Sequence, residues 1–192
     1  TEECYFTFSN SPVHDESGSI GGVFTVVTET SKEVIDTRHL LILRHLTSTL
    51  LDKTDEQDIY RRAFQVIAHH DRDFPFAFLY KVEPDGTVGV LVASTSDQPE
   101  FQEEISCKGN SPDRWRIRQV IESNAEFVLD DLTGFKHLPS GAWNDVPRKA
   151  LVLPVSHGGK TTRPLAILVV GLNPCRLLNP DDLEFYKLFA DK

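Results

Sequence analysis

The 192-residue chain sets 20 basic against 29 acidic residues for a formal net charge of −9, with 40% hydrophobic and 26% charged residues. That is the make-up of a soluble globular domain plus an extension, and its acidic balance argues against nucleic acid as a partner. No apolar run reaches the roughly 20 residues that span a bilayer and no secretory leader is legible, while Cys4, Cys107 and Cys175 are too few and too scattered for a disulfide framework or a zinc site, so a reducing cytoplasm is the expected compartment.

The first element is a hairpin. Tyr5-Phe6-Thr7-Phe8-Ser9-Asn10-Ser11-Pro12 and Gly21-Gly22-Val23-Phe24-Thr25-Val26-Val27-Thr28-Glu29-Thr30 alternate aromatic or β-branched residues with small polar ones. The turn Asp15-Glu16-Ser17-Gly18 lies between them, so two antiparallel strands with one buried face are predicted. Two strands alone are marginal in water, so residues 1–30 read as the closing strands of a domain cut short.

Ser31 to Lys53 lacks Gly and Pro and reads as one long helix with two apolar stripes. Leu40, Leu43, Thr47 and Leu50 follow the spacing of a coiled-coil seam and are the candidate homodimer contact, while Ile35, Ile42 and Leu46 lie on a second face that would pack on the chain's own core; the competing expectation is that both stripes face a core. A second helix, capped by Thr54 or Asp55, runs to about His69. The period then changes to that of strands at Phe76 to Val82 and Val88 to Ala93, around a Pro84-Asp85-Gly86 turn.

Residues 95–112 are polar, with Pro99, Gly109 and Pro112, and read as a loop or short helix. A helix follows from Asp113 to Asn124, then a strand within Glu126 to Leu132 and a long loop from Thr133 to Pro147. Lys149 to Val155 and Leu165 to Gly171 are apolar strands expected at the sheet centre. The last helix opens on Asn179 as cap and Pro180 at its first position, with Asp181 and Asp182 in the first turn. This order suits an α+β fold in which helices cover one face of an antiparallel sheet and long loops enclose a pocket on the other.

These residues resemble known families. Tyr5-Phe6-Thr7-Phe8-Ser9-x-Ser11-Pro12, the Gly21-Gly22-Val23-Phe24 strand and Val27-Thr28-Glu29-Thr30 look like the last strands of a PAS domain and its exit motif. The strand entry Asp73-Phe74-Pro75-Phe76-Ala77-Phe78-Leu79-Tyr80, the Asp130-Asp131-Leu132 element, Ala150-Leu151-Val152-Leu153-Pro154-Val155 and Ala166-Ile167-Leu168-Val169-Val170-Gly171-Leu172-Asn173-Pro174 resemble a GAF domain. The resemblance implies a partial PAS hairpin over 1–30, a linker helix over 31–53 and a GAF domain over 54–192. Such tandems belong to PAS-GAF sensor histidine kinases, often hybrid ones, so sensing or relay to a downstream kinase domain is implied, with no catalysis by these residues.

The chemical candidates are fewer. Phe101, Trp115, Phe135 and Trp143 offer aromatic walls for an unidentified small-molecule ligand, with Asp130, Asp131, Lys136 or Arg148 as polar contacts; the competing expectation is a collapsed pocket with the same aromatics as core. Among GAF-fold proteins, bilin attachment uses a Cys with an adjacent His, whereas Cys107 precedes Lys108, which argues against that cofactor. The spaced Asn, Lys, Phe, Asp and Glu of cyclic-nucleotide GAF domains is not recognisable. Some GAF-fold enzymes reduce free methionine sulfoxide with a cysteine, and Cys107 beside Lys108 is the one candidate for that thiol chemistry.

His45 lacks the sequence context of a phospho-acceptor and reads as a solvent-facing helix residue. His69 and His70 end a helix, where imidazolium complements the dipole, with no third metal ligand in sight. Gly158-Gly159-Lys160-Thr161-Thr162 lacks the upstream glycine of a phosphate loop and a strand follows it, so it reads as a hairpin turn.

Overall fold

A computed structural model describes residues 2–51, 55–83, 88–96, 104–106, 113–156 and 163–192. The chain divides into two compact units, Thr1–Leu41 and Ile42–Lys192.

In the first unit β1 (Phe6–His14) pairs antiparallel with β2 (Ile20–Glu29) from Phe6↔Glu29 to His14↔Ile20, with an irregularity at Val13/His14. The turn is held by one carboxylate. Asp15 Oδ1 accepts from the backbone N–H groups of Ser17 at 2.9 Å and Ser19 at 3.0 Å, and Gly18 supplies the positive φ of +82° that closes it. The expected buried face is not there: every residue of β1 is exposed, as are all but one of β2. A two-stranded ribbon has no second layer to cover it, so alternation in the sequence produced pairing without burial.

Residues preceding β1 are tied to the first turns of α1 (Ser31–Leu50). The Arg38 guanidinium forks onto Glu3, with Nη1 to Oε1 at 2.8 Å, and Tyr5 Oη donates to the same oxygen at 2.9 Å. Glu3 is buried, and this pair of donors satisfies its charge.

The second unit holds one antiparallel sheet. It contains β3 (Ala77–Val82), β4 (Val88–Ser94), β5 (Glu104–Ser106), β6 (Phe127–Leu129), β7 (Ala150–Val155) and β8 (Ala166–Gly171), in the order β5-β4-β3-β8-β7-β6. The central pair is β3 and β8, in register from Ala77↔Val170 to Lys81↔Ala166, with β7 one place out, not β7 and β8 as the apolar runs suggested. The two-residue period deals side chains to opposite faces. Ala77, Leu79, Leu151, Leu153, Leu168 and Val170 enter one core; Phe78, Tyr80, Ala150, Val152, Ile167 and Val169 enter the other.

The first core is closed by helices. Ile42 and Leu46 of α1 are buried there, as predicted for that stripe, with Phe64, Val66 and Ile67 of α2 (Glu56–His69) and Phe185, Tyr186 and Phe189 of α4 (Pro180–Ala190). Asp55 caps α2 by accepting from Asp58 N at 2.8 Å. Asn179 and Asp182 form a reciprocal capping box on α4, with Pro180 behind the cap. Phe74 packs on Phe189 with ring centroids 4.8 Å apart, and Tyr186 Oη donates to the Asp73 carbonyl at 2.6 Å, which fixes α4 to the entry of β3.

Two expectations are corrected on the other face. The helix read from Asp113 to Asn124 is only α3 (Ile117–Ser123), because Arg116 sits in the left-handed region at φ 60° and the Asp113 carboxylate takes the first free N–H groups, of Ile117 at 2.9 Å and Arg118 at 2.8 Å. This helix packs on the face expected to carry loops alone, through Ile117, Val120 and Ile121. Within residues 95–112, read as loop or helix, β5 pairs with β4 through Val88↔Ser106 to Val90↔Glu104. So short an edge strand, set among polar residues, leaves no hydrophobic period to read.

Candidate functional site

The aromatic face of the sheet starts from Phe76 and Phe78, adjacent on one side of the β3 backbone and stacked at 6.1 Å with their planes 9° apart. Trp115, brought over them by the turn that Asp113 caps, meets Phe78 edge-on at 4.7 Å and Phe76 at 5.9 Å. Phe135, from the loop after β6, lies on Trp115 at 4.1 Å, and the Arg114 guanidinium covers its outer face at 4.0 Å. Arg114 Nη2 also donates to the Gly134 carbonyl, closing that loop over the indole.

Trp115 is 1% exposed and so fills the space that an apolar ligand of its size would need. What remains open is a depression of about 510 Å³ rimmed by Asp113, Arg114, Arg116, Asp131, Thr133 and Phe135. Asp131 is exposed there, and the N–H and side chain of Thr133 hold its carboxyl below the usual value. Tyr80, beneath, has its phenol pushed up by burial and then by the Asp113 charge, so it stays a neutral donor.

The structure thus brings together Trp115, Phe135 and Asp131 of the sequence candidates. Asp130 turns away to Lys149 Nζ at 2.6 Å. Trp143 lies elsewhere, donating from Nε1 to the Arg72 carbonyl at 2.9 Å beneath the Arg72 guanidinium at 5.5 Å. Lys136 and Arg148 are exposed on the loop. Phe101, Cys107 and the 158–162 turn lie outside the described residues. Of the two remaining thiols, Cys4 is exposed and pushed up, by desolvation and then by Glu2 and Glu29, the reverse of what a nucleophile needs; Cys175 is half-buried in the turn after β8.

Of the predicted seam, Leu40 is 68% exposed on α1, Thr47 is exposed and turned back to the Leu43 carbonyl at 2.8 Å, and Leu43 and Leu50 are half-buried along the edge of the helical core. A second concavity, of about 970 Å³ between α2 and β4, escaped the sequence reading. There Glu56 accepts from Lys81 Nζ at 2.6 Å and then from Tyr60 Oη at 2.5 Å, which hold its carboxyl below the usual value. The i,i+4 spacing of Glu56 and Tyr60 was the one available signal.

No curated protein matches the sequence. Solved structures do match in fold. The GAF domain of an Acinetobacter phosphoenolpyruvate-protein phosphotransferase is similar at a TM-score of 0.58 and 13% identity, over 80% of this chain and 89% of that one. The fRMsr of Staphylococcus aureus in complex with substrate is similar at 0.59 and 12%, over 79% and 90%. Residues 122 to 287 of a methyl-accepting chemotaxis protein are similar at 0.51 and 16%, over 78% and 90%. The family model described as GAF domain matches residues 53–192, which contain every strand of the six-stranded sheet, and the chain therefore belongs to the GAF domain family.

Proposed function

We propose that this chain is a non-catalytic sensory module of a signal-transduction histidine kinase in a two-component phosphorelay, passing a conformational signal through helices paired across a cytoplasmic homodimer to the kinase core. GAF domains are sensory and regulatory modules. The observation that carries the finer reading is the apolar flank of two helices in the sheet unit: Leu43, Thr47 and Leu51 of the α1 end line a shallow groove of about 400 Å³ with Leu188 of α4, and Leu51 is 62% exposed. Leu43 and Leu51, two helical turns apart, present an apolar strip beside Leu188, rimmed by Arg44 and Lys192, that suits a second helix better than water. Relay then needs two packings of α1 and α4 of similar free energy.

The hairpin supports the PAS part of the reading. Phe6, Phe8, Val23 and Val27 stand at 57–66% exposure on one face of β1 and β2, a surface suited to the remaining strands of a PAS sheet. A second reading, a dimerisation spacer without ligand, is favoured by Trp115 occupying the loop-face pocket. A thiol reductase would rest on Cys107 alone, and loss of reductase activity in Cys107→Ser is what that alternative requires.

Sedimentation and native mass spectrometry test the proposal. The wild type is expected to dimerise, and Leu51→Asp with Leu188→Asp to yield a folded monomer. A monomeric wild type, or a dimer that survives both changes, overturns the helical relay. A defined extra mass on the dimer supports small-molecule sensing; a dimer of bare chain mass supports the spacer.

A further inference from the structure

The loop after β6 contains a strap, Leu138 to Trp143, with a left-handed residue before it and another within it. His137 has φ 57° and Gly141 φ 60°. Only glycine adopts that conformation freely, so His137 is held there by what the strap grips. Leu138 is buried in the aromatic core, and the Trp143 N–H donates to the Ser140 carbonyl at 3.1 Å to close a turn.

The strap grips the link between α2 and β3. A Cβ at Gly141 would collide with the Asp71 carbonyl and stand 2.7 Å from Pro75 Cα, so the two segments touch backbone to backbone. Ala142 N–H donates to the Asp71 carbonyl at 3.4 Å, and Trp143 Nε1 donates to the Arg72 carbonyl at 2.9 Å. The next carbonyl goes to a helix of the other core: Asp73 accepts from Tyr186 Oη of α4 at 2.6 Å, and the Phe74 ring lies 4.8–5.9 Å from those of Phe185, Tyr186 and Phe189. The His70 carbonyl accepts from the N–H groups of both Asp73 and Phe74, at 3.1 and 3.0 Å, so the carbonyls of Asp71, Arg72 and Asp73 belong to one tight turn.

We infer that the strap is a latch on this turn, through which the loop face of the sheet acts on α4. Docked, it holds the Asp71 and Arg72 carbonyls and keeps the Asp73 carbonyl in place for Tyr186. Lifted, it relieves the backbone at His137 and leaves Tyr186 without a fixed acceptor, which gives the two discrete arrangements that coupling requires. The same loop carries Phe135, which lies on Trp115 at 4.1 Å and rims the open depression, so a molecule that displaces Phe135 pulls on the latch. Gly141 and Trp143 are positioning residues that reach α4 through residues 71–73. The latch supplies the step before the relay proposed above and rests on that reading only for its use; it lies within one chain, so it can fail or hold whether or not the chain dimerises.

The test is amide hydrogen exchange on the full chain, comparing α4 from Leu183 to Ala190 with Tyr60 to Val66 of α2 as internal reference. Trp143→Phe keeps the ring and removes the donor; exchange in α4 should become about three- to tenfold faster while the α2 reference stays unchanged. Gly141→Ala, which forces the strap off the link, should do the same. Tyr186→Phe should speed α4 likewise and, by reciprocity, the Ala142 amide. The Trp143→Phe, Tyr186→Phe double variant should exchange in α4 no faster than Tyr186→Phe alone. The latch is overturned if α4 is unaffected by both strap variants, if the α2 reference accelerates equally in Trp143→Phe, if Ala142 ignores Tyr186→Phe, or if the two effects multiply in the double variant.

Discussion

The hairpin β1–β2 and the strand pair β3–β8 are drawn from the same residue types, aromatic and β-branched, and both are regular antiparallel pairs. Their fates differ. Phe8 is 66% exposed, whereas Phe78 is fully buried between Trp115 and the sheet. Local chemistry does not separate them, since the Asp15 turn is as well satisfied as the Asn179 cap. What differs is a second layer: β3 and β8 have helices on one side and α3 with its loops on the other, and that layer turns β propensity into burial of about 1.5–3 kcal/mol per large apolar side chain.

The sharpest break of the comparison is one substitution made in both places. Phe78→Ala should cost about 3–5 kcal/mol in chemical denaturation because it empties a packed site, and Phe8→Ala should stay within about 0.5 kcal/mol. Equal effects would show that the hairpin is covered in solution.

Overpacking comes next. A Cβ at Gly171 would stand 2.5 Å from the Phe76 ring, which is itself fully buried. Gly171→Ala should therefore destabilise by about 1–3 kcal/mol. A neutral result would mean that the aromatic face has room to yield, as a ligand-binding face must.

Asn179→Ala should cost about 1 kcal/mol, since it unpairs the Asp182 N–H at the start of a helix docked on the core. Asp15→Ala, the matching loss in the hairpin, should leave the melting temperature alone and show only as faster hydrogen exchange at Ser17 and Ser19. A shared loss of melting temperature would join the two units into one cooperative fold.

The smallest effect is electrostatic. The Lys187 ammonium, 3.0 Å away, holds the Glu126 carboxyl below its usual value, and Lys187 is raised in return by the same hydrogen bond. A lowered carboxylate contributes stability above its unfolded value near about 4.3 and loses it as pH falls through the folded value; the raised lysine loses its share only at strongly alkaline pH. Both side chains are partly exposed, so Glu126→Gln should cost a few tenths of a kcal/mol at neutral pH and nothing near about pH 3. A difference that persists in acid would assign the effect to packing.

What was legible in the sequence is what short-range physics decides. The turn at Asp15, the caps at Asp55 and Asn179, the buried stripe of Ile42 and Leu46 and the four long strands of the sheet each follow from a few adjacent residues. Long-range pairing was not. That β8 lies beside β3, that a three-residue β5 extends the edge, and that Asp113 shortens α3 depend on which backbone groups meet across distant segments. The same holds for function: Trp115 and Trp143, equal candidates in the sequence, part company because one is pressed onto Phe78 and the other is drawn to Arg72. Periodicity states which face of an element is apolar, but which other element covers it is decided by the packing of the whole sheet unit.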